Sequence, residues 1–133
     1  MLTRRSTLGF LASAALTAVA GAATVFAAER VRFDRAAFEA ALAAGGPVLI
    51  DVYASWCPTC RRQEAIVLDL VADPKYAGFK IFVIDYDTEK DLMRAFGAQQ
   101  RSTLIAFKNG VEVGRIVGDT RPRTIEALLA STV

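Results

Sequence analysis

The chain has 133 residues, which is room for one domain of ordinary size. It contains 16 basic residues, 14 acidic residues, two cysteines and no histidine. Arg4 and Arg5 lie in an N-terminal segment that has no acidic residue, and without them the chain has 14 basic residues against 14 acidic ones. This neutral balance, with basic residues scattered along the chain, gives no indication of a nucleic-acid or acidic partner.

Residues 1–28 are predicted to be a signal peptide. Arg4 and Arg5 precede an uncharged, Ala-rich stretch, Ser6–Ala28, which resembles a twin-arginine export signal. We expect cleavage near Ala27 or Ala28, which would leave residues 29–133 as a soluble, monomeric domain in the periplasm. The alternative is an uncleaved anchor, because the stretch is long enough to span a bilayer. Its content of Ala, Gly, Ser and Thr favours cleavage.

The remaining chain alternates strand and helix patterns. Period-2 or continuously apolar runs predict strands, and apolar residues three and four apart predict helices. The final two strands flank Asn109-Gly110, a strong two-residue hairpin signal. The predicted strands are Arg30–Phe33, Val48–Ala54, Phe79–Tyr86, Thr103–Lys108 and Val111–Val117. The first predicted helix has Asp34 as its N-cap and ends near Ala43. The other predicted helices cover Arg61–Val71, Thr88–Phe96 and Arg121–Ala130.

This order, β-α-β-α-β-α-β-β-α, predicts an α/β fold. Strands that are joined through helices run parallel, whereas the final hairpin is antiparallel. We therefore expect a mixed central sheet with helices on both faces.

Cys57 and Cys60 lie between a predicted buried strand and a predicted helix. At a helix N-terminus, unpaired N–H groups and the helix dipole favour a thiolate, which is the nucleophile of disulfide exchange. One chain with two cysteines and no histidine cannot supply the four ligands of a zinc site. Arg61 stands where covalent haem attachment needs histidine. A structural disulfide over so short a loop would stabilise the fold little, so we favour a redox dithiol.

At this point the sequence resembles the thioredoxin family over nearly all of residues 29–133. The likeness is carried by Leu49–Arg61, which contains Asp51 and Trp56-Cys57-Pro58-Thr59-Cys60, by Phe107–Gly110 in the hairpin, and by Gly118. The resemblance implies a thioredoxin-like fold and no cofactor other than a redox-active disulfide between Cys57 and Cys60.

The resemblance also implies roles for single residues. Cys57 would be the attacking thiol and Cys60 the resolving thiol. Asp51 would be a buried acid that relays the Cys60 proton, and burial among apolar neighbours should raise its pKa. Trp56 would pack over the site. The substrate-binding residues would be Trp56 together with Ser102, Thr103 and Gly118.

Two departures from the family pattern affect this site. Ser102 stands where the family has a cis-proline, and a cis bond to a non-proline residue costs about 3–4 kcal/mol. We therefore expect a trans peptide, with an additional N–H facing the sulfurs. Val83 stands where the family often has a lysine, so we expect Asp51 to lack a neighbouring cation.

The favoured function is a periplasmic thiol–disulfide oxidoreductase that acts on protein disulfides or dithiols. Pro58-Thr59 places no histidine between the cysteines, which removes one stabiliser of the thiolate and favours reduction over oxidation. A reductase in the oxidising periplasm needs electrons, for which we expect a membrane thiol donor. Two alternatives stay open: a dimer that binds metal through four thiolates, and a redox-silent module that holds a partner.

Overall fold

The computed structural model describes residues 27–133, and the predicted signal peptide lies almost entirely outside this range. A short 3-10 turn, Pro74–Tyr76, follows the second helix. Within the described residues, no helix has the length and apolar character needed to cross a membrane. The elements in chain order are β1 (Glu29–Arg32), α1 (Arg35–Ala44), β2 (Val48–Tyr53), α2 (Pro58–Val71), β3 (Lys80–Asp85), α3 (Lys90–Ala95), β4 (Thr103–Lys108), β5 (Val111–Val117) and α4 (Pro122–Ala130).

The strands form one sheet in the order β1-β3-β2-β4-β5. β3 runs parallel to β1 and to β2, which confirms the crossovers predicted from the alternating pattern. β4 runs antiparallel to β2 and to β5, which confirms the final hairpin. β2 therefore lies at the centre of the sheet, and β1 and β5 are its two edges.

Capping residues set the limits of the first helix, and turn residues set those of the hairpin. The carboxylate of Asp34 accepts a hydrogen bond of 2.8 Å from the Ala37 N–H at the start of α1. Gly45, at φ +75°, ends the same helix. Asn109 and Gly110 both have positive φ, as a two-residue turn between twisted strands requires.

Two cores of different composition cover the two faces of the sheet. The face under α2 and α4 is mostly aliphatic and includes Leu49, Val67 and Leu129. The face under α1 and α3 contains a group of phenylalanine rings in tilted and edge-to-face contacts. Because both faces are buried, β2 reads as a continuous apolar run that Asp51 alone interrupts.

Candidate active site

Cys57 is the N-cap residue of α2. Its Sγ accepts a hydrogen bond of 3.2 Å from the Cys60 backbone N–H, and Pro58 occupies the first helical turn, where no donor is needed. The helix begins at Pro58, earlier than the pattern from Arg61 predicted, because Pro58 is well suited to a first helical position. The sulfur therefore lies at the positive end of the helix dipole.

Both cysteines are free thiols, and both are buried: Cys57 is 1% exposed and Cys60 is 0% exposed. The two thiols therefore differ little in exposure. Ala54, Tyr53 and Tyr86 pack around the pair. A difference in reactivity must therefore come from the electrostatic surroundings of each sulfur.

Those surroundings shift the pKa values of the two thiols in opposite directions. Burial raises the pKa of Cys57, but hydrogen bonds from Cys60, Ser102 and Arg101 outweigh that effect and lower it to about 7. Burial and the hydrogen bond with Cys57 raise the pKa of Cys60 above its usual value. Near neutral pH, Cys57 is thus the sulfur that ionises, and Cys60 keeps its proton.

The Ser102 hydroxyl lies between the two sulfurs. Its Oγ is 3.4 Å from Cys57 Sγ and 3.0 Å from Cys60 Sγ. All peptide bonds of the described residues are trans, including the Arg101–Ser102 bond, as expected. The expectation of an N–H facing the sulfurs is wrong, because the Ser102 N–H donates to the Val52 carbonyl at 2.8 Å. The side chain contacts the sulfurs instead.

Ser102 is held by what we call the hydroxyl cluster, defined as Ser102, Gln63, Gly118 and the Asp119 carbonyl. The Ser102 carbonyl accepts from the Gly118 N–H at 2.9 Å and from Gln63 Nε2 at 3.1 Å. Gln63 Nε2 also donates to the Asp119 carbonyl at 2.9 Å. Gln63 is fully buried, and its Oε1 has no hydrogen-bond partner among the described residues.

The other predicted substrate-binding residues of this loop occupy different places. Gly118 and Ser102 line a cavity of about 170 Å³ together with Thr59 and Arg101. Thr103 lines a separate cavity, and its hydroxyl donates to the Gln100 carbonyl at 2.7 Å. The structure therefore brings Gly118 and Ser102 together and directs the Thr103 side chain elsewhere.

Asp51 belongs to a carboxylate cluster, which we define as Arg30, Asp51 and Glu64. Asp51 is 3% exposed, and its Oδ2 lies 3.3 Å from Arg30 Nη2. The other Arg30 nitrogen lies 3.2 Å from Glu64 Oε1 on α2. Val83 does pair with Asp51 across the sheet, but the expectation that Asp51 lacks a cation is wrong, since β1 supplies Arg30.

Burial dominates the pKa of Asp51. Removal from water raises it to about 6, although the neighbouring Arg30 guanidinium opposes the rise. Its Oδ1 is buried and has no hydrogen-bond partner among the described residues, and its Oδ2 binds Arg30. A carboxylate of this pKa is mostly ionised at neutral pH and is a base of useful strength.

Trp56 lies on the surface beside the dithiol. It is 53% exposed, its Nε1 donates to Asp87 at 2.9 Å, and the Arg101 guanidinium stacks 4.9 Å from its ring centroid. The ring meets Tyr86 edge to face. Trp56 is therefore a fixed aromatic surface at the border of the site.

Sequence reasoning missed Arg30, Gln63, Glu64 and Arg101. One signal for Gln63 was available, because it follows Cys60 by a helical interval and so lies on the same buried face of α2. Arg30 carried no such signal, since its partner Asp51 is brought to it only by the sheet. Within residues 27–133, no group of three or more Cys, His, Asp or Glu side chains is placed to hold a metal ion.

Comparisons with known proteins identify the same family and fold. A family model described as Thioredoxin matches residues 29–131. A thioredoxin of Porphyra purpurea is 31% identical over 83 residues, which cover 62% of this chain and 77% of that protein. A thioredoxin of Mycobacterium tuberculosis (strain ATCC 25618 / H37Rv) is 38% identical over 77 residues, covering 58% of this chain and 66% of that protein.

Among solved structures, that of Trxlp from Edwardsiella tarda EIB202 superposes with a TM-score of 0.73 at 42% identity, covering 76% of this chain and 98% of that one. A mutant thioredoxin from Halobacterium salinarum NRC-1 gives a TM-score of 0.67 at 26% identity, covering 84% of this chain and 96% of that one. Thioredoxins are thiol–disulfide oxidoreductases that use no cofactor.

Proposed function

Because this chain belongs to the thioredoxin family, and is thus a thioredoxin-type thiol–disulfide oxidoreductase, we propose that it reduces protein disulfides in the periplasm. One observation carries the proposal: Cys57 has a lowered pKa of about 7, whereas the pKa of the adjacent Cys60 is raised. This combination supplies a nucleophile and a thiol that stays protonated until it is needed.

The reaction follows from this difference. The Cys57 thiolate attacks a substrate disulfide, forms a mixed disulfide and releases the first substrate thiolate. Cys60 then loses its proton and attacks Cys57 Sγ, which releases the second substrate sulfur and leaves a Cys57–Cys60 disulfide. The substrate gains two electrons, and the protein loses two. Asp51 is the base that we assign to the Cys60 proton when the substrate sulfur leaves as a thiolate, and it would receive that proton through a bridging water.

The pKa of Cys57 supports the reducing direction. Strongly oxidising dithiols have a thiol pKa near ~3.5, because their thiolate is heavily stabilised. Cys57, at about 7, lacks stabilisation of that size. Its disulfide is therefore a weaker oxidant, and its dithiol is a better reductant. A membrane thiol protein is the electron source that we propose, since the periplasm is oxidising.

Substrate binding is assigned to the surface around the dithiol. Trp56 and the cavity beside Ser102 and Gly118 form its two sides, and Arg101 lies between them. Because both sulfurs are buried, a substrate loop has to enter this surface and displace the side chains that cover Cys57. Among these, Arg101 has a long and flexible side chain.

The reduction potential tests whether the protein reduces or oxidises its substrates. It is measured by equilibration with glutathione and dithiothreitol buffers. We expect a value of about −270 mV and reduction of insulin by the protein with dithiothreitol. Limiting iodoacetamide should label Cys57 first, with a rate midpoint near pH 7. A potential near about −120 mV would make the protein an oxidase. Retained biological activity without either cysteine would support the redox-silent alternative.

Export by the twin-arginine route is the second part of the proposal. Arg4 and Arg5 followed by an uncharged Ala-rich segment are its basis. Replacing both arginines with lysine should stop the appearance of the processed protein in the periplasm, as measured by fractionation and immunoblotting. Unimpaired export of the Lys-Lys variant would contradict this route and would favour the general secretory pathway.

A further inference from the structure

The Ser102 hydroxyl contacts both reacting sulfurs in the described structure. Its Oγ lies 3.0 Å from Cys60 Sγ and 3.4 Å from Cys57 Sγ. A hydroxyl can donate one hydrogen bond while it accepts others, so it can bond to a protonated and an ionised sulfur at the same time. A proline at this position has neither capacity.

We propose that Ser102 is a catalytic residue that relays the Cys60 proton to the departing substrate sulfur. The inference rests on the proposed function, because it concerns the second step of the same disulfide exchange. It assigns to this chain a proton path that passes directly beside the sulfurs.

Cys60 S–H gives its proton to Ser102 Oγ while Cys60 Sγ bonds to Cys57 Sγ. The bond between Cys57 Sγ and the substrate sulfur breaks, and that sulfur takes the electron pair. Ser102 gives its own hydroxyl proton to the departing sulfur and keeps the proton from Cys60. The products are the Cys57–Cys60 disulfide, a neutral substrate thiol and an unchanged serine.

The backbone around Ser102 is fixed in a way that keeps the hydroxyl at this point. Its N–H donates to the Val52 carbonyl, and its carbonyl accepts from Gly118 and from the buried Gln63. Ser102 has φ +60°, a conformation that is costly for a residue with a Cβ. Strain of this kind, held by several hydrogen bonds, is characteristic of functional positions.

Asp51 is less well placed for direct transfer to the leaving group. One of its oxygens binds Arg30, and the other has no hydrogen-bond partner among the described residues. Ser102 also influences the acidity of both thiols, because its hydrogen bonds lower the pKa of Cys57 and oppose the rise at Cys60. The hydroxyl therefore favours ionisation of each sulfur.

If Ser102 is a proton relay, its effect on the rate of release from the mixed disulfide should depend on the leaving sulfur. A basic alkyl thiolate needs a proton as it departs, whereas an acidic aryl thiolate such as thionitrobenzoate leaves without one. The purified protein, fully reduced, should be mixed with bis(2-hydroxyethyl) disulfide or with dithiobis(nitrobenzoate). Acid quenching and mass spectrometry then measure the mixed disulfide on Cys57 over time, and absorbance measures the released thionitrobenzoate.

Ser102→Gly is the principal variant, because glycine accepts φ +60° without strain. We expect release of the alkyl thiol from the mixed disulfide to slow about tenfold or more, a loss typical of a removed proton-transfer group. Release of thionitrobenzoate should change less than about threefold, since its departure needs no proton from the general acid. Ser102→Ala should behave in the same way, and it is a second variant that lacks the hydroxyl.

Thr132→Val is the matched control. It removes another buried hydroxyl, which donates to the Leu129 carbonyl at 2.6 Å far along the chain from the dithiol. Its two release rates should equal those of the unaltered protein. Asp51→Asn should slow release of thionitrobenzoate more than release of the alkyl thiol, because a sulfur that departs without a proton leaves the Cys60 proton for Asp51.

Equal slowing by Ser102→Gly with both disulfides would overturn the relay and leave Ser102 a structural residue. Unchanged rates with both disulfides would overturn it as well. These outcomes differ from a failure of the proposed function, in which the unaltered protein would not complete the second step with either disulfide.

Discussion

The carboxylate cluster and the hydroxyl cluster meet on neighbouring residues of α2, yet they are built on different principles. Glu64 contributes to an ionic group with Arg30 and Asp51, and Gln63 contributes to a neutral group with Ser102 and Gly118. Asp51 is buried, and its Oδ2 binds the charged Arg30 side chain. Ser102 is buried with its backbone fully bonded and its hydroxyl on the sulfurs.

This difference separates two ways of controlling a thiol. A buried carboxylate changes its charge with pH, so its influence on stability and proton transfer depends on pH. A hydroxyl held by neutral hydrogen bonds has the same charge across the physiological range. We expect pH to act on this site mainly through the carboxylate cluster and through Cys57 itself.

The largest expected effect is that of Asp51→Asn. The folded state raises the Asp51 pKa from 3.8 to about 6, so ionisation of Asp51 destabilises the folded protein as the pH rises between these two values. The destabilisation is absent below about pH 4 and complete above about pH 6. Two pKa units correspond to about 3 kcal/mol. Asp51→Asn should raise the free energy of unfolding by about that amount at pH 8, as urea unfolding measures.

At pH 3.5 the same variant should show no gain in stability. Asp69→Asn, on the exposed side of α2, is the control and should leave the free energy of unfolding unchanged at both pH values. A gain of equal size at both pH values would mean that ionisation of Asp51 is not its cause.

Gln63→Leu tests the neutral side of the comparison. It removes the hydrogen bonds to the Ser102 and Asp119 carbonyls, each worth about 1 kcal/mol. We expect a loss of about 2 kcal/mol in the free energy of unfolding, the same at pH 5 and pH 8. Gln99→Leu changes an exposed glutamine and should have little effect. A pH-dependent loss for Gln63→Leu would show that the two clusters are electrostatically coupled.

Arg30→Met should have the smallest of the three effects. It removes the cation that opposes the rise in the Asp51 pKa, so that pKa should move further above its ordinary value. Carbon-13 NMR titration of the Asp51 carboxyl measures it directly. Arg32→Met, at an exposed position two residues further along β1, should leave the titration unchanged, and an identical shift in both variants would exclude a specific Arg30 effect.

Most of the fold could be predicted from local pattern. β4 and β5 have the predicted limits, because Asn109-Gly110 fixes the turn and the flanking runs are strongly apolar or alternating. The helix ends differ by a few residues, as at α3, predicted over Thr88–Phe96 and observed at Lys90–Ala95. There the Asp85 carboxylate accepts from the backbone of Asp87 and Thr88, which forms a turn before the helix starts.

The site could be predicted only in part. Cys57, Cys60 and Asp51 are visible in the sequence, because their spacing and their apolar surroundings are local features. The cation beside Asp51, Arg30, could not be predicted, since its position depends on which strands are neighbours in the sheet. The orientation of Ser102 was missed because its positive φ turns the N–H towards Val52, and a serine gives no sequence signal for that conformation.

The location of Arg30 has a consequence for motion in the molecule. Among the described strands, β1 is an edge strand that pairs with β3, and the Glu29–Phe79 and Phe33–Val83 backbone hydrogen bonds border it. Edge strands open locally at a lower free-energy cost than central strands. Opening of β1 would carry the guanidinium away from Asp51 and increase that residue's affinity for a proton. By reciprocity, protonation of Asp51 favours opening, so amide hydrogen exchange at this edge reports the charge of a carboxyl buried under α2.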